Sequence, residues 1–248
     1  MTNQTTLIIG ANSAIAKALA LQVIDDNNSA VNTKLIVVTR DVSFYQHQKF
    51  SKSKVISVQD YQESSINSAI QEINKDKAIS IKQVFICHGL LHNEVINPEK
   101  RLQEFSAESF TAVLTANTIT PMLWLKNLIP TLKGKQVCKV VVFNARVGSI
   151  SDNKIGGWYS YRASKAAVNM LLKTAAVELS RTAKNIKLIS FHPGTTDTPL
   201  SKPFQKNVPE NKLFTSEFVA KQLLQIVKKT DLDGEASFVD WQGKTIPW

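Results

Sequence analysis

The stretch Thr6-Leu-Ile-Ile9-Gly10-Ala-Asn-Ser-Ala14-Ile-Ala16 decides the fold of this 248-residue chain. Leu7, Ile8 and Ile9 are apolar on both faces of an extended strand, the pattern of a parallel sheet covered on both sides. Gly10 permits a tight turn, and Ile15, Leu19 and Val23 then follow at helical spacing. In a doubly wound sheet, the turn from the first strand into the first helix is where a dinucleotide pyrophosphate meets the helix N-terminus. Gly10, Asn12, Ser13 and Ile15 are therefore candidate cofactor contacts. Ala14 and Ala16 stand where a GxxxGxG pattern carries glycine, and both are small enough for close approach.

The same alternation runs through the chain. Further strands are predicted at Leu35–Thr39, Val55–Val58, Val84–Cys87, Lys139–Phe143, Lys187–Phe191 and Ser237–Trp241. Helical patterns lie between them: Ile66/Ile70/Ile73, Ser106 to about Leu132, Ala163–Leu179 and Phe218–Val227. This predicts one α/β domain over residues 1–248, a doubly wound parallel sheet of about seven strands. The irregular stretch from Thr195 to Asn211 carries Pro199, Pro203 and Pro209 before a helix that Thr215 is placed to cap. So long a loop in a compact domain makes 195–214 a candidate substrate lid.

With 43% hydrophobic residues the chain can bury one large core. It has no apolar run of about 18 residues, and Met1-Thr-Asn-Gln leads directly into the first strand, so neither a membrane span nor a leader is expected. Cys87 and Cys138 lie in apolar strands, which reads as buried thiols in a reducing cytoplasm. His47, His88, His92 and His192 lack metal-ligand spacing, so no metal is expected. The net charge of +10 comes from scattered lysines such as Lys49, Lys52, Lys54, Lys75, Lys77, Lys228 and Lys229. Without a basic, aromatic-interleaved stripe, no nucleic-acid partner is expected.

Four places carry chemistry. Arg40 ends the second strand, where a guanidinium favours a 2′-phosphate and hence NADP(H) over NAD(H). A surface pair with Asp41 is the competing reading. Pro121 has no N–H to return to the Asn117 carbonyl four residues earlier, so a kink and a free carbonyl are expected there. In Tyr161-Arg-Ala-Ser-Lys165 the phenol and the ammonium are four residues apart on one helix face, and the cation is expected to lower the phenol pKa. His192-Pro193-Gly194-Thr195-Thr196-Asp197-Thr198 is a turn at a strand end, with backbone and hydroxyl groups suited to a nicotinamide carboxamide.

With these motifs in this order, the chain resembles the short-chain dehydrogenase/reductase family, and within it the C-factor-like branch. The distinctive pieces are Ala145-Arg-Val-Gly-Ser-Ile-Ser-Asp152, Gly156-Gly-Trp-Tyr-Ser-Tyr-Arg-Ala-Ser-Lys165, His192-Pro-Gly194 and Trp241-Gln-Gly-Lys-Thr-Ile-Pro-Trp248. The resemblance implies a Rossmann-type sheet and a nicotinamide cofactor. It implies Tyr161 as general acid/base, Lys165 on the nicotinamide ribose, and Asn117 holding a relay water. It also implies Asp60 at the adenine, Gly89 along the cofactor although Asn-Asn-Ala-Gly is replaced by Ile86-Cys-His-Gly89, and Thr196 and Thr198 at the carboxamide. A homodimer or homotetramer through the Tyr161 helix is a further implication.

One departure bears on activity. Where the family carries its catalytic serine after the fifth strand, this chain has Asn144-Ala145, so Ala145 takes that position. Ser149, Ser151 or Asn144 would have to replace the hydroxyl, or turnover would be slow. Two functions compete: a cytoplasmic NADP(H)-dependent reductase of small-molecule carbonyls, and a cofactor-binding signalling or sensor protein with little turnover. Trp158, Leu200, Phe204 and Phe214 suggest an apolar substrate pocket, with packing of the loop onto the domain as the competing reading.

Overall fold

The structure is a computed structural model and describes residues 4–25, 33–76 and 79–248. Met1 to Asn3, where no leader is expected, and Lys77 lie outside the described residues. Among the described residues the strands are β1 (Gln4–Ile9), β2 (Thr33–Thr39), β3 (Lys54–Ser57), β4 (Ile81–Ile86), β5 (Cys138–Phe143), β6 (Ile186–His192), β7 (Thr195–Thr196), β8 (Leu213–Phe214) and β9 (Ala236–Asp240). The α-helices among them are α1 (Ala14–Asp25), α2 (Glu63–Asn74), α3 (Ala107–Leu114), α4 (Thr120–Leu132), α5 (Tyr159–Thr182) and α6 (Ser216–Lys229). Seven strands form one sheet in the order β3-β2-β1-β4-β5-β6-β9, and every neighbouring pair is parallel. This is the single doubly wound domain expected from the alternation, and the Rossmann-type sheet that the resemblance implies.

The strands are apolar on both faces because both faces are core. Leu7 and Ile9 of β1 pack into a cluster with Ile66 and Ile70 of α2, Trp124 and Leu128 of α4, and Val168 and Leu172 of α5. Ile8 points the other way, into a cluster with Leu19 and Val23 of α1 and Val219 and Leu223 of α6. Alternate residues thus serve opposite layers, so neither face can be polar. No helix among the described residues is long and apolar enough to cross a membrane.

Three elements differ from their sequence expectation. The single helix over 106–132 is split by a π turn at Thr115–Ile119, where Thr120 N–H reaches back to the Thr115 carbonyl. Pro121 supplies the cause, since it cannot close the α-type bond to Asn117. The helix expected from Ala163 starts at Tyr159, which puts Tyr161 in its first turn. The stretch 195–214 is not loose at its ends: β7 pairs with β8, Thr195 opposite Leu213 and Thr196 opposite Phe214. Asp197 N–H donates to the Phe214 carbonyl at 2.8 Å just beyond them. A two-residue ladder has no periodicity to read. Thr215 caps α6 as expected, accepting from Phe218 N–H at 3.1 Å.

Candidate active site

The order of the sheet reverses between β1 and β4, and in such sheets ligands bind beyond the strand ends at that point. Gly10 closes the β1 end with φ +71, and a Cβ there would lie 3.2 Å from the Cys87 backbone and the His88 ring. Glycine is therefore required both by conformation and by the crossing of the two chains. Past it, Ser13 starts α1: its hydroxyl accepts from Ala16 N–H at 3.3 Å and its carbonyl from Lys17 N–H at 2.9 Å. The first turn of α1 has no acidic residue.

A cleft of ≈ 340 Å³ opens above this turn. Of the expected residues it brings together Asn12, Ser13, Ile15, Gly89, Asn144, Tyr161, Lys165, Pro193, Thr198 and Leu200, and among the described residues no carboxylate lines it. A Cβ on Gly89 would meet only Leu200, at 3.8 Å. A second cavity of ≈ 240 Å³ also reaches Tyr161 and takes in Ala145, Arg146, Trp158, Gly194, Thr196 and Phe204. Tyr161, Ile15, Pro193, Thr198 and Leu200 line both spaces. Tyr161 thus borders both a cleft with Lys165 at its lining and a cavity lined by aromatic rings.

Arg40 and Asp60 lie outside both linings. Arg40 forms no ion pair with Asp41, whose carboxylate instead accepts from Ser43 N–H at 2.9 Å. The Arg40 guanidinium sits over the Tyr61 ring at 5.2 Å, and Tyr61 meets the His88 ring edge-on at 4.3 Å. His88 lines the cleft, and burial with the nearby Arg40 and Lys165 charges pulls its pKa down to about 3, so the imidazole is neutral. Asp60 sits at the start of α2, where its carboxylate accepts from Gln62 N–H at 3.0 Å.

Asn117 is fully buried in the π turn. Its side chain holds the residue after Gly89 by both backbone groups: Leu90 N–H donates to Oδ1 at 2.7 Å, and Nδ2 donates to the Leu90 carbonyl at 2.8 Å. Nδ2 also donates to the Ser164 hydroxyl at 3.0 Å. The amide therefore ties the β4 exit to α5, a role that sequence did not suggest.

Burial governs the Tyr161–Lys165 pair. Tyr161 is 8% exposed and Lys165 is 2% exposed, and the Lys165 ammonium donates to the Phe143 carbonyl at 3.0 Å. Desolvation raises the Tyr161 pKa well above its ordinary value and lowers Lys165 to about 7. The expected fall in the phenol pKa is not met: loss of water around both groups outweighs their attraction, with the ammonium 5.7 Å from the ring centre.

None of the expected substitutes for the missing serine reaches the second cavity. Ser149 is buried in its turn, where its hydroxyl accepts from Asp152 N–H at 3.2 Å. The Ser151 hydroxyl donates to the Trp248 carbonyl at 2.9 Å. The Asn144 amide donates to Asn169 at 2.5 Å and to Ser190 at 2.8 Å, joining β5, α5 and β6. What lines the cavity next to Ala145 is Arg146, which pairs with Asp152 at 2.8 Å and Asp240 at 3.7 Å. Arg146 and His192 were missed, although both stand at the C-terminal ends of strands, the edge where ligands gather. Phe214 lines neither space; its ring lies tilted against Trp241 at 4.3 Å and packs over Gly194.

The model of the short chain dehydrogenase family matches residues 4–209, and the chain belongs to that family. It is 25% identical to the C-signal protein of Myxococcus xanthus over 134 residues, covering 54% of this chain and 75% of the relative, in keeping with the C-factor-like resemblance. It is 22% identical to the benzil reductase ((S)-benzoin forming) of Bacillus cereus over 254 residues, covering 94% of this chain and 98% of the relative. Among solved structures, the NADPH-bound carbonyl reductase from chicken fatty liver superposes with a TM-score of 0.82 at 18% identity, covering 100% of both chains, which shows a shared fold.

Lys165 makes stability depend on pH. Unfolded, the lysine titrates near its ordinary 10.5, whereas in the fold it titrates at about 7. Between those values the unfolded state binds more protons, so this group makes stability rise with pH across that window. Urea unfolding of the wild type and Lys165→Met from pH 6 to 10 should show the wild type gaining on the variant above pH 7. A difference that stays constant over the range contradicts the assignment.

Proposed function

We propose that the protein is an NADP(H)-dependent carbonyl reductase that acts on bulky apolar ketones, aldehydes or quinones, with Tyr161 as proton donor. The observation that carries this is the place of Tyr161 between the two cavities. The first cavity suits a dinucleotide: it has the α1 N-terminus for an anion, a lysine and no carboxylate. In the second, Thr196 Oγ1 and His192 Nδ1 are buried without partners, a donor and acceptor set suited to a polar group such as the carboxamide. A reduced nicotinamide, when bound, supplies a hydride to a carbonyl carbon.

The chain's own residues do the rest. Ser13 and Asn12 hold the pyrophosphate, with Gly10 and Ile15 shaping the turn. Gly89, Pro193, Gly194, Thr196 and Thr198 border the dinucleotide, with Asp60 on its adenine side. Arg40, free of any carboxylate among the described residues, takes the 2′-phosphate, and its stacking on Tyr61 holds it at the end of β2. Tyr161, whose raised pKa keeps the phenol protonated, donates to the developing alkoxide, and Lys165 steadies the phenolate left behind. The Asn117 carbonyl, to which Pro121 can return no N–H, would support a water that returns the proton to Tyr161. Trp158 and Phe204, edge to face at 5.1 Å, support an aromatic or bulky substrate, in keeping with the benzil reductase similarity.

Exposed Met170, Leu171 and Val177 along α5 support a homodimer or homotetramer, and the free buried cysteines support a cytoplasmic location. A sensor with little turnover is the second reading, favoured by Ala145 and by the similarity to C-signal.

NADPH oxidation with a panel of 1,2-diketones, aryl ketones and quinones tests the reading. Tyr161→Phe should lower kcat by roughly 100- to 10,000-fold, and rates equal to the wild type would remove the phenol from the reaction. Ala145→Ser should raise kcat by about 10- to 100-fold if the missing hydroxyl limits the rate; no gain argues that another group already polarises the carbonyl. In calorimetric titrations, Arg40→Ala should weaken NADPH binding by about 10- to 100-fold with NADH little changed. Equal weakening of both would assign Arg40 to something other than the 2′-phosphate.

A further inference from the structure

We propose that Glu99 is a positioning residue for Tyr161: its buried carboxylate caps the N-terminus of α5 and so fixes the phenol between the two cavities. The proposal rests on the reading of Tyr161 as proton donor.

Helix α5 starts with nothing of its own to satisfy its leading amides. Trp158, at the N-cap, makes no side-chain hydrogen bond, and the first turn holds no acidic residue. Amide groups at a buried helix start need an acceptor from elsewhere. It comes from 61 residues away in the chain. Glu99, 4% exposed, receives Ser160 N–H on its two carboxylate oxygens at 3.3 and 3.1 Å, and the Ser160 hydroxyl donates to it as well. Its backbone carbonyl accepts from Trp158 N–H at 2.5 Å. A negative charge at this end of the helix is also favoured by the helix dipole.

The loop before α5 is clamped from the other side. Arg162 Nε donates to the carbonyls of Gly157 at 2.9 Å and Gly156 at 3.2 Å. Between the two clamps Trp158 adopts φ 53, ψ 44, a left-handed conformation that a bulky residue rarely takes. Such a conformation persists only where its surroundings impose it. Trp158 is also a wall of the second cavity, and Tyr161 follows three residues later. The segment that carries Glu99 packs on the phenol as well, since Leu91 and Ile96 share a small buried cluster with Tyr161 and Val113. The Glu99 bonds therefore set together where the aromatic wall stands and where the proton donor points.

A cap that served stability alone would leave the rate per folded molecule unchanged. A positioning residue changes kcat, because a misplacement of about 1 Å at the reacting group can cost on the order of 100-fold. Glu99→Gln keeps one oxygen acceptor, Glu99→Ala keeps none, and Ser160→Ala loses only the hydroxyl bond. The three variants and the wild type are compared for Tm, NADPH Kd by calorimetry, and kcat and KM on the best ketone of the panel.

The expected result is a kcat lowered by roughly 10- to 100-fold in Glu99→Ala and less in the other two, with NADPH Kd within about threefold of the wild type. A kcat within about twofold of the wild type in every variant that folds overturns the proposal, whatever happens to Tm. Should Glu99→Ala fail to fold, Glu99→Gln and Ser160→Ala decide by the same criterion. A wild type that binds NADPH but reduces no member of the panel removes the proton-donor reading itself, and this proposal with it.

Discussion

Exclusion of water from the Tyr161–Lys165 pair is the constraint on which the site depends. Both side chains leave solvent at the junction of α5 with the exits of β4 and β5, and the ammonium takes a backbone carbonyl as its partner. In such surroundings a charge on either group is costly, so the phenol keeps its proton and the lysine gives one up easily. The cost is tolerable because the rest of the fold holds the pair firmly. The Asn117 and Asn144 amides tie α5 to the π turn, to the exits of β4 and β5, and to β6.

The architecture was legible because apolar strands and amphipathic helices alternate without interruption. Each of the seven main strands was expected within a few residues, and the two-faced apolar pattern of β1 and β5 was explained by core on both sides. The π turn was half legible: Pro121 signalled a lost bond at Asn117, but not that the helix would take up the defect as a five-residue π segment. The early start of α5 was not legible, because its cap comes from Glu99 and a residue that distant leaves no local signal. The β7–β8 ladder was hidden because two-residue strands show no periodicity.

Residue chemistry was less transparent than topology. The spacing of Tyr161 and Lys165 was right, yet the expected direction of the phenol pKa was not. Spacing records proximity, while the shift depends on how much water each group has lost. Ser149 shows the converse case. Its place near Ala145 in sequence suggested a substitute hydroxyl, but a tight turn directs it to Asp152 N–H. Arg146, adjacent in sequence to the position of the missing serine, is the polar residue that lines the second cavity there.

The account places one phenol where a nucleotide cleft and an aromatic cavity meet. The most direct test is a crystal structure of the protein with NADP⁺ and an unreactive aryl ketone analogue. It should show the ketone against Trp158 and Phe204, with its oxygen about 2.6–3.2 Å from the Tyr161 hydroxyl. A ketone bound elsewhere, or a dinucleotide outside the cleft beside Lys165, would contradict the account.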